Sequence, residues 1–565
     1  MMIVESMRCN LIAGLQKVSK NRRFCTESHS IVSLGLREVL AKLNSRELSS
    51  LDLTNACLQN IKEKKHLNAF ITVTADMALQ QAKESDRRRQ QGKKIGLLDG
   101  VPVAVKDNYS TKGILTTCAS KMLEDYIPPY TATVVQRLLD EGAILIGKAN
   151  MDEFAMGSAS VTSHYGPVLH PWTTDVDIED KDKSELCIAG GSSGGSACAV
   201  AAHLCFGALG SDTGGSTRFP ASLCGIVGYM PSYGRTSRYG LVPLASSLDC
   251  PAIFAKSVED ASLMADAISG HDPLDCTSAN QSSLQVSKLL QNRRHLQKPL
   301  EGVRVGIPKE YYIDELAPEN VNIWRQAAKW VADAGAEVLE VSLPHTRLAL
   351  ACYYAVCNAE MASNLAKYDG LQYGHRAVGV DHSTDSLYGE SRAEGFRIVT
   401  RNRIRSGTLF LSERMYGEYY TMAAKVRRLI AQDFYSVLGK SAADPNTRTQ
   451  SCATSNIADV LLYPTTAHCA TTFGKYQLGV SSYAIATDIF ACPVNLAGLP
   501  AVSIPVGLSK KSMPLGLQVV GPRFGELVMT QVALAIEDCA NFSQLCLHLV
   551  KNQSNNTTVT YTSAH

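Results

Sequence analysis

Gly190-Gly191-Ser192-Ser193-Gly194-Gly195-Ser196 decides the reading of this chain. Glycines on both sides of adjacent serines let the backbone approach a small group closely and turn its N–H groups toward one point. The stretch lacks the Gly-Lys-Ser/Thr ending of a phosphate-binding loop, which sets it apart from nucleotide sites. Alone, it is also compatible with a flexible linker. A second motif follows, Asp212-Thr213-Gly214-Gly215-Ser216-Thr217-Arg218. Upstream, Gly100-Val101-Pro102-Val103-Ala104-Val105-Lys106-Asp107-Asn108 carries a lysine at the end of a valine-rich run. That run has the length and β-branched content of a buried strand. The one histidine near either serine motif is His203, and its apolar setting fits a core role better than a catalytic one.

A serine hydroxyl is a weak nucleophile until a base takes its proton. With no histidine to serve, Lys106 is the candidate base. A lysine acts as a base only when neutral, and burial among apolar neighbours lowers its pKa by disfavouring the charged form. Ser216 is the candidate nucleophile. The backbone amides of Thr213, Gly214 and Gly215, with that of Ser216, are the candidate oxyanion donors.

In this order and at this spacing, the three segments resemble the amidase signature family, whose catalytic triad is Ser–cis-Ser–Lys. The resemblance implies amide hydrolysis through an acyl-enzyme. It makes Ser192 the relay between Lys106 and Ser216, with a cis Gly191–Ser192 bond, and gives Ser193 a supporting hydrogen bond. It also implies an α/β amidase-signature fold, with a mixed central β-sheet flanked by α-helices on both sides.

Further segments are similar to the glutamyl-tRNA(Gln) amidotransferase A-subunit family, in its mitochondrial form. They are Lys148-Ala149-Asn150-Met151-Asp152-Glu153-Phe154-Ala155-Met156-Gly157-Ser158, Pro231-Ser232-Tyr233-Gly234-Arg235, Gln372-Tyr373-Gly374, and Asp488-Ile489-Phe490 with Asn495-Leu496-Ala497-Gly498-Leu499-Pro500. That family takes ammonia from glutamine, a zwitterion whose two charges both need partners. The resemblance places Asp488 on the amino group, Arg403 on the carboxylate and Tyr354 at the pocket. Arg403 also lies among Arg397, Arg401 and Arg405, a pattern that a solvated helix face would share. The implied partners are subunits B and C of a heterotrimer, with Glu-tRNA(Gln) held mainly by B. No metal or cofactor is expected in this chain, ATP and Mg being used by the B subunit. Two other readings stay open: a stand-alone amidase acting on lipid or aryl amides, and a non-catalytic scaffold subunit. The chain departs from the family at Ala189, where bacterial relatives carry proline, and at Leu248-Asp249-Cys250-Pro251-Ala252.

A net charge of +2 over 565 residues argues against strong unaided nucleic-acid binding. The 17 cysteines form no Cys-x-x-Cys pair, so zinc ribbons and thioredoxin-like motifs are excluded, and free thiols in a reducing compartment are expected. No apolar run reaches the length of a membrane span, and no membrane association is expected. Residues 1–30 combine Arg8, Lys17, Lys20, Arg22 and Arg23 with Leu11, Ile12, Leu15 and Val18 at helical spacing. This matches an amphipathic mitochondrial presequence, which places the protein in the matrix.

Residues 34–548 are expected to form one amidase domain, and 549–565 a disordered tail. Periodicity predicts a helix over Leu34 to Leu43 and a second capped by Ser49 or Ser50. It also predicts a strand at Ala143 to Ile146 after a helix at Thr133 to Leu139. The run Ala197 to Leu209 reads as one buried helix broken by His203. Loops are expected at Thr173 to Glu185, Thr277 to Pro299 and Lys440 to Ser455.

Overall fold

The computed structural model describes residues 31–174, 178, 182–290, 297–378, 388–438, 458–478 and 488–546. The presequence at 1–30, the loop at Lys440 to Ser455 and the tail at 549–565 lie outside the described residues. Among the described residues, eleven strands build the centre: β1 (Phe70–Val73), β2 (Pro102–Lys106), β3 (Ile144–Ala149), β4 (Gly207–Asp212), β5 (Val227–Met230), β6 (Cys250–Ala255), β7 (Arg304–Pro308), β8 (Glu337–Val341), β9 (Val460–Pro464), β10 (Ala501–Leu508) and β11 (Pro514–Val520). They form one sheet in the order β1-β3-β2-β4-β6-β5-β10-β11-β9-β7-β8.

The sheet is mixed, as expected. β3, β2 and β4 run parallel, as do β9, β7 and β8, while the strands between pair antiparallel. Every residue of β2, β3, β4, β5, β6, β9 and β11 is buried. Because successive side chains point to opposite faces, both faces of these strands are covered. The Val258–Ile268 helix packs on β5 and β6, and the Glu526–Ala540 helix on β10 and β11. The edge strands β1 and β8 are shorter of cover and expose residues to solvent.

Local signals account for the entry into this body. The first helix, Leu36–Ser45, buries Leu36, Val39 and Leu43. Ser49 caps the second, Ser50–Glu63, through a capping box: its Oγ accepts the Asp52 N–H at 3.0 Å, and the Asp52 carboxylate accepts the Ser49 N–H at 3.3 Å. Between β8 and β9, the helices Ile398–Leu411 and Met422–Val437 both pack on Ala349–Leu365.

Two expectations need correction. The run Ala197 to Leu209 is not one helix: Gly194–Ala201 is helical, the chain turns at His203 with φ 61°, and β4 begins at Gly207. Short apolar runs carry no period that separates a buried helix from a buried strand. His203 is held without a hydrogen-bond partner on Nδ1 among the described residues, and burial lowers its pKa to about 3. Within Thr277 to Pro299, Val286–Leu290 is a helix whose first N–H groups bond to the Asp266 carboxylate.

Candidate active site

Strand register brings the catalytic segments together. β2 and β4 are parallel neighbours, with Val105 opposite Leu209, so Lys106 leaves its strand beside Gly210 and Ser211. The Gly190–Ser193 loop enters the Gly194–Ala201 helix at this end of the sheet, and the Thr213–Thr217 turn joins β4 to the Arg218–Cys224 helix. Functional groups gather where parallel strands end and chain turns meet.

Lys106 is fully buried, and its Nζ lies 2.8 Å from Ser192 Oγ, 2.7 Å from Ser193 Oγ and 2.9 Å from Ser211 Oγ. Burial is the leading cause of a pKa lowered to about 7, against the opposing pull of Asp152, Asp212 and Asp249. A neutral amine has two protons and one lone pair. Ser193 donates its own proton to the Ser211 carbonyl, so toward Nζ it accepts. The lone pair is thereby available to another of the hydroxyls, and Ser192, expected as the relay, is within reach at 2.8 Å. Ser211 also accepts from Asn108 Nδ2 at 3.0 Å.

The Gly191–Ser192 peptide is cis. The Ser192 carbonyl accepts the Asp152 N–H at 3.1 Å and the Ser160 hydroxyl at 3.3 Å. The Asp152 carboxylate in turn accepts the N–H groups of Ser160, Val161 and Thr162. The Ser193 N–H donates to the Ser216 carbonyl at 3.2 Å, which ties the two serine loops together. No hydrogen bond between the Ser192 and Ser216 hydroxyls is present among the described residues.

The turn carrying Ser216 is organised by Asp212. This buried carboxylate accepts the N–H groups of Gly215, Thr217 and Arg218, and pairs with the Arg218 guanidinium. Arg218 is completed by Gln518, Asn495 and the Ala491 carbonyl. The Gly215 N–H, expected as an oxyanion donor, is thus committed to Asp212 at 2.7 Å. Among the described residues the N–H groups of Thr213, Gly214 and Ser216 have no acceptor, which leaves them for an oxyanion. Asp249 receives the Thr213 hydroxyl and the Leu244 and Ala245 N–H groups, and burial raises its pKa to about 6.

Ser216 is half-buried and opens onto a cavity of about 330 Å³, shared with Tyr354, Arg403, Tyr476 and Asp488. Tyr354 donates to Asp488 at 2.7 Å, and burial raises the Asp488 pKa to about 6. The Arg403 guanidinium lies over the Tyr354 ring, 5.4 Å from its centre, and makes no ion pair among the described residues. Arg403 is therefore turned into the cavity, whereas Arg405 on the same helix is exposed. A larger cavity of about 810 Å³, beside Lys121, Lys367 and Tyr373, contains no triad residue.

Sequence reasoning missed Ser211, Asp249, Tyr476 and the Asp212–Arg218 pair. Asp212 and Arg218 flank Ser216 in its own motif, and two opposite charges in a run of buried glycines were the available signal. Among the described residues, no cluster of His, Cys, Asp and Glu is arranged to hold a metal ion, and no helix is long and apolar enough to cross a membrane.

Comparison with known proteins agrees with this geometry. The Amidase family model matches residues 52–528. The chain is 47% identical over 522 residues to the A subunit of mitochondrial glutamyl-tRNA(Gln) amidotransferase from Mus musculus, covering 90% of this chain and 94% of that one. It is 46% identical over 526 residues to the Homo sapiens counterpart, with coverage of 90% and 94%. Among solved structures it is similar to the A subunit of glutamyl-tRNA(Gln) amidotransferase from Thermotoga maritima, at 36% identity and TM-score 0.69, covering 90% of this chain and 95% of that chain. Peptide amidase from Stenotrophomonas maltophilia matches at 26% identity and TM-score 0.72, with coverage of 90% and 97%. The chain belongs to the amidase family.

Proposed function

We propose that this chain is the glutamine-hydrolysing A subunit of a mitochondrial glutamyl-tRNA(Gln) amidotransferase. The observation that carries this reading is the presence, in one cavity with Ser216, of the Arg403 guanidinium, which makes no ion pair among the described residues, and the Asp488 carboxylate. An apolar acyl channel would have no use for two opposite charges. A zwitterion needs both, one for each end.

In this reading Asp488 and Tyr354 hold the α-ammonium of glutamine, Arg403 holds the α-carboxylate, and the side-chain amide reaches Ser216. Ser216 Oγ attacks the amide carbon. Its proton passes to Ser192, whose own proton passes to Lys106. The N–H groups of Thr213, Gly214 and Ser216 stabilise the oxyanion. Return of the proton through the relay lets ammonia leave, and a γ-glutamyl ester forms on Ser216. Water then attacks the ester by the same route in reverse and releases glutamate.

The ammonia serves a partner B subunit that activates Glu-tRNA(Gln) with ATP and Mg, and a C subunit joins the two. The near-neutral net charge suits a chain that leaves most tRNA contact to B. No cofactor is needed in this chain. The relatives named mitochondrial and the basic amphipathic leader both support the matrix as its location.

The experiment is to assay the assembled complex and the isolated chain against glutamine and against uncharged aryl and fatty amides. Ammonia release from glutamine supports the reading. Hydrolysis of aryl or fatty amides with no glutamine turnover under any condition assigns the chain as a stand-alone amidase instead.

A further inference from the structure

The helix that carries Arg403, Ile398–Leu411, begins without a cap of its own. Arg397 occupies the cap position and supplies no side-chain acceptor. The first turn of any helix leaves N–H groups without intrahelical partners. Here the acceptor comes from far away in the chain. Glu153 Oε2 accepts the Arg397 N–H at 2.9 Å and the Thr400 hydroxyl at 2.5 Å. Glu153 Oε1 accepts the Ser120 hydroxyl at 2.6 Å. Glu153 is fully buried, and a carboxylate at a helix N-terminus is favoured by the helix dipole.

The residues on either side of Glu153 show what this cap connects. The preceding residue, Asp152, donates its N–H to the Ser192 carbonyl, so the same short segment touches the relay serine. The following residue, Phe154, packs edge-on against Phe396 at 5.5 Å, just ahead of the Arg403 helix. Beyond it, Ala155 to Ser158 line the cavity. On the helix side Val399 and Arg403, one turn apart, line the same cavity. Among the described residues, two charged groups join these walls: Glu153, and Arg397, whose Nη1 donates to the Ser163 carbonyl at 3.3 Å; Glu153 is the one that takes both a backbone N–H and a hydroxyl of the helix start.

We propose that Glu153 is a positioning residue: it locks the start of the Arg403 helix to the segment that supports Ser192, and thereby fixes the distance from Arg403 to Ser216. The substrate carboxylate and the scissile amide of glutamine sit at opposite ends of a short chain. Any slide or tilt of the helix against the loop would hold the carboxylate while displacing the amide from the nucleophile. Glu153 touches neither end of the substrate, and acts only through Arg403. The proposal rests on the reading of Arg403 as the partner of the glutamine carboxylate.

The test uses the assembled complex and two substrates, glutamine and 4-aminobutanamide, which is the glutamine skeleton without its α-carboxylate. Glu153→Gln keeps the shape and removes the charge that accepts from Arg397 and Thr400. Thr400→Val removes one of those donors with little change in volume, and carries the test if the first variant does not fold. The expected result is a rise in KM for glutamine of about tenfold for Glu153→Gln and about threefold for Thr400→Val, with kcat within about twofold. KM and kcat for 4-aminobutanamide stay as in the unmodified enzyme. An unchanged KM for glutamine in both variants, with Arg403→Ala raising it, overturns the proposal and leaves the carboxylate reading standing. An equal fall in kcat for both amides overturns it too, since that is the mark of general damage. An unchanged KM in Arg403→Ala removes the carboxylate reading, and the proposal with it.

Discussion

Lys106 Nζ lies 2.8 Å from Ser192 Oγ, and neither side chain is exposed to solvent. Burial, rather than the contact itself, is what suits Lys106 to the proposed role of base. Removal from water lowers the Lys106 pKa to about 7, so near neutral pH a large share of the enzyme holds an amine with a free lone pair. An exposed lysine would be neutral in only a small fraction of molecules.

The pH dependence follows with a defined sign. In the proposed mechanism Lys106 works when deprotonated, at a pKa of about 7, and Asp488 holds the ammonium when deprotonated, at a pKa of about 6. Both requirements favour higher pH. The logarithm of kcat/KM for glutamine should rise with a slope near two below pH 6, near one between 6 and 7, and level off above 7. Asp488→Asn should leave a single rising limb of slope one. A kcat/KM that falls over this range contradicts the assignment of Lys106 as base.

The two charges in the cavity should act on binding of glutamine. Hydrogen bonds to charged groups are worth about 1.5–3 kcal/mol, which corresponds to about 10- to 100-fold in affinity. Arg403→Ala and Asp488→Asn should each lower kcat/KM for glutamine by that factor, mostly through KM. Steady-state kinetics with glutamine beside an uncharged amide separates this from general damage, because the uncharged amide should be unaffected.

Arg218 neutralises Asp212 where water has no access. Removing one partner of such a pair strands the other charge and costs about 3–5 kcal/mol. Arg218→Met should therefore lower the stability by that much, seen as a lower denaturant midpoint. It should also reduce activity by loosening the turn at Ser216. Equilibrium denaturation followed by circular dichroism measures the first effect directly.

Gly215 has φ +110°, a region that other residues rarely adopt, and a side chain there would meet the Phe219 ring at 2.6 Å and Ala491 at 2.8 Å. Gly215→Ala should shift the turn that carries the Thr213, Gly214 and Ser216 N–H groups. Loss of one oxyanion donor typically lowers kcat about 100- to 1000-fold. Turnover should fall in that range, with the far-ultraviolet spectrum preserved.

The parts of the site that were legible in the sequence are those whose chemistry is contiguous. Lys106 is the last residue of its strand, and both serines sit inside glycine motifs that have few other uses. The helix start at Ser49 or Ser50 was legible because capping is local, and the capping box with Asp52 settles it on Ser49. Contacts made by register were hidden. Ser211 reaches Lys106 because β4 lies parallel beside β2, and nothing near Ser211 in the chain announces that pairing. Glu153 caps a helix more than two hundred residues away, which no local pattern encodes. Only the family resemblance singled out Arg403; the local pattern did not separate it from its basic neighbours, since which arginine turns inward depends on how the helix packs on Ala349–Leu365. The Gly215 amide was misassigned for a related reason: glycine permits a turn, but the Asp212 carboxylate decides which N–H groups it consumes.

The central claim is that Ser216 releases ammonia from glutamine for use elsewhere in a complex. The most direct measurement is formation of Gln-tRNA from Glu-tRNA(Gln) and ATP by the chain assembled with the proposed B and C partners, comparing Ser216→Ala with the unmodified protein. With glutamine as donor, Ser216→Ala should give no product, and with ammonium salt as donor it should match the unmodified complex. Glutamine-dependent product at normal rates from Ser216→Ala would contradict the account and leave the chain a scaffold.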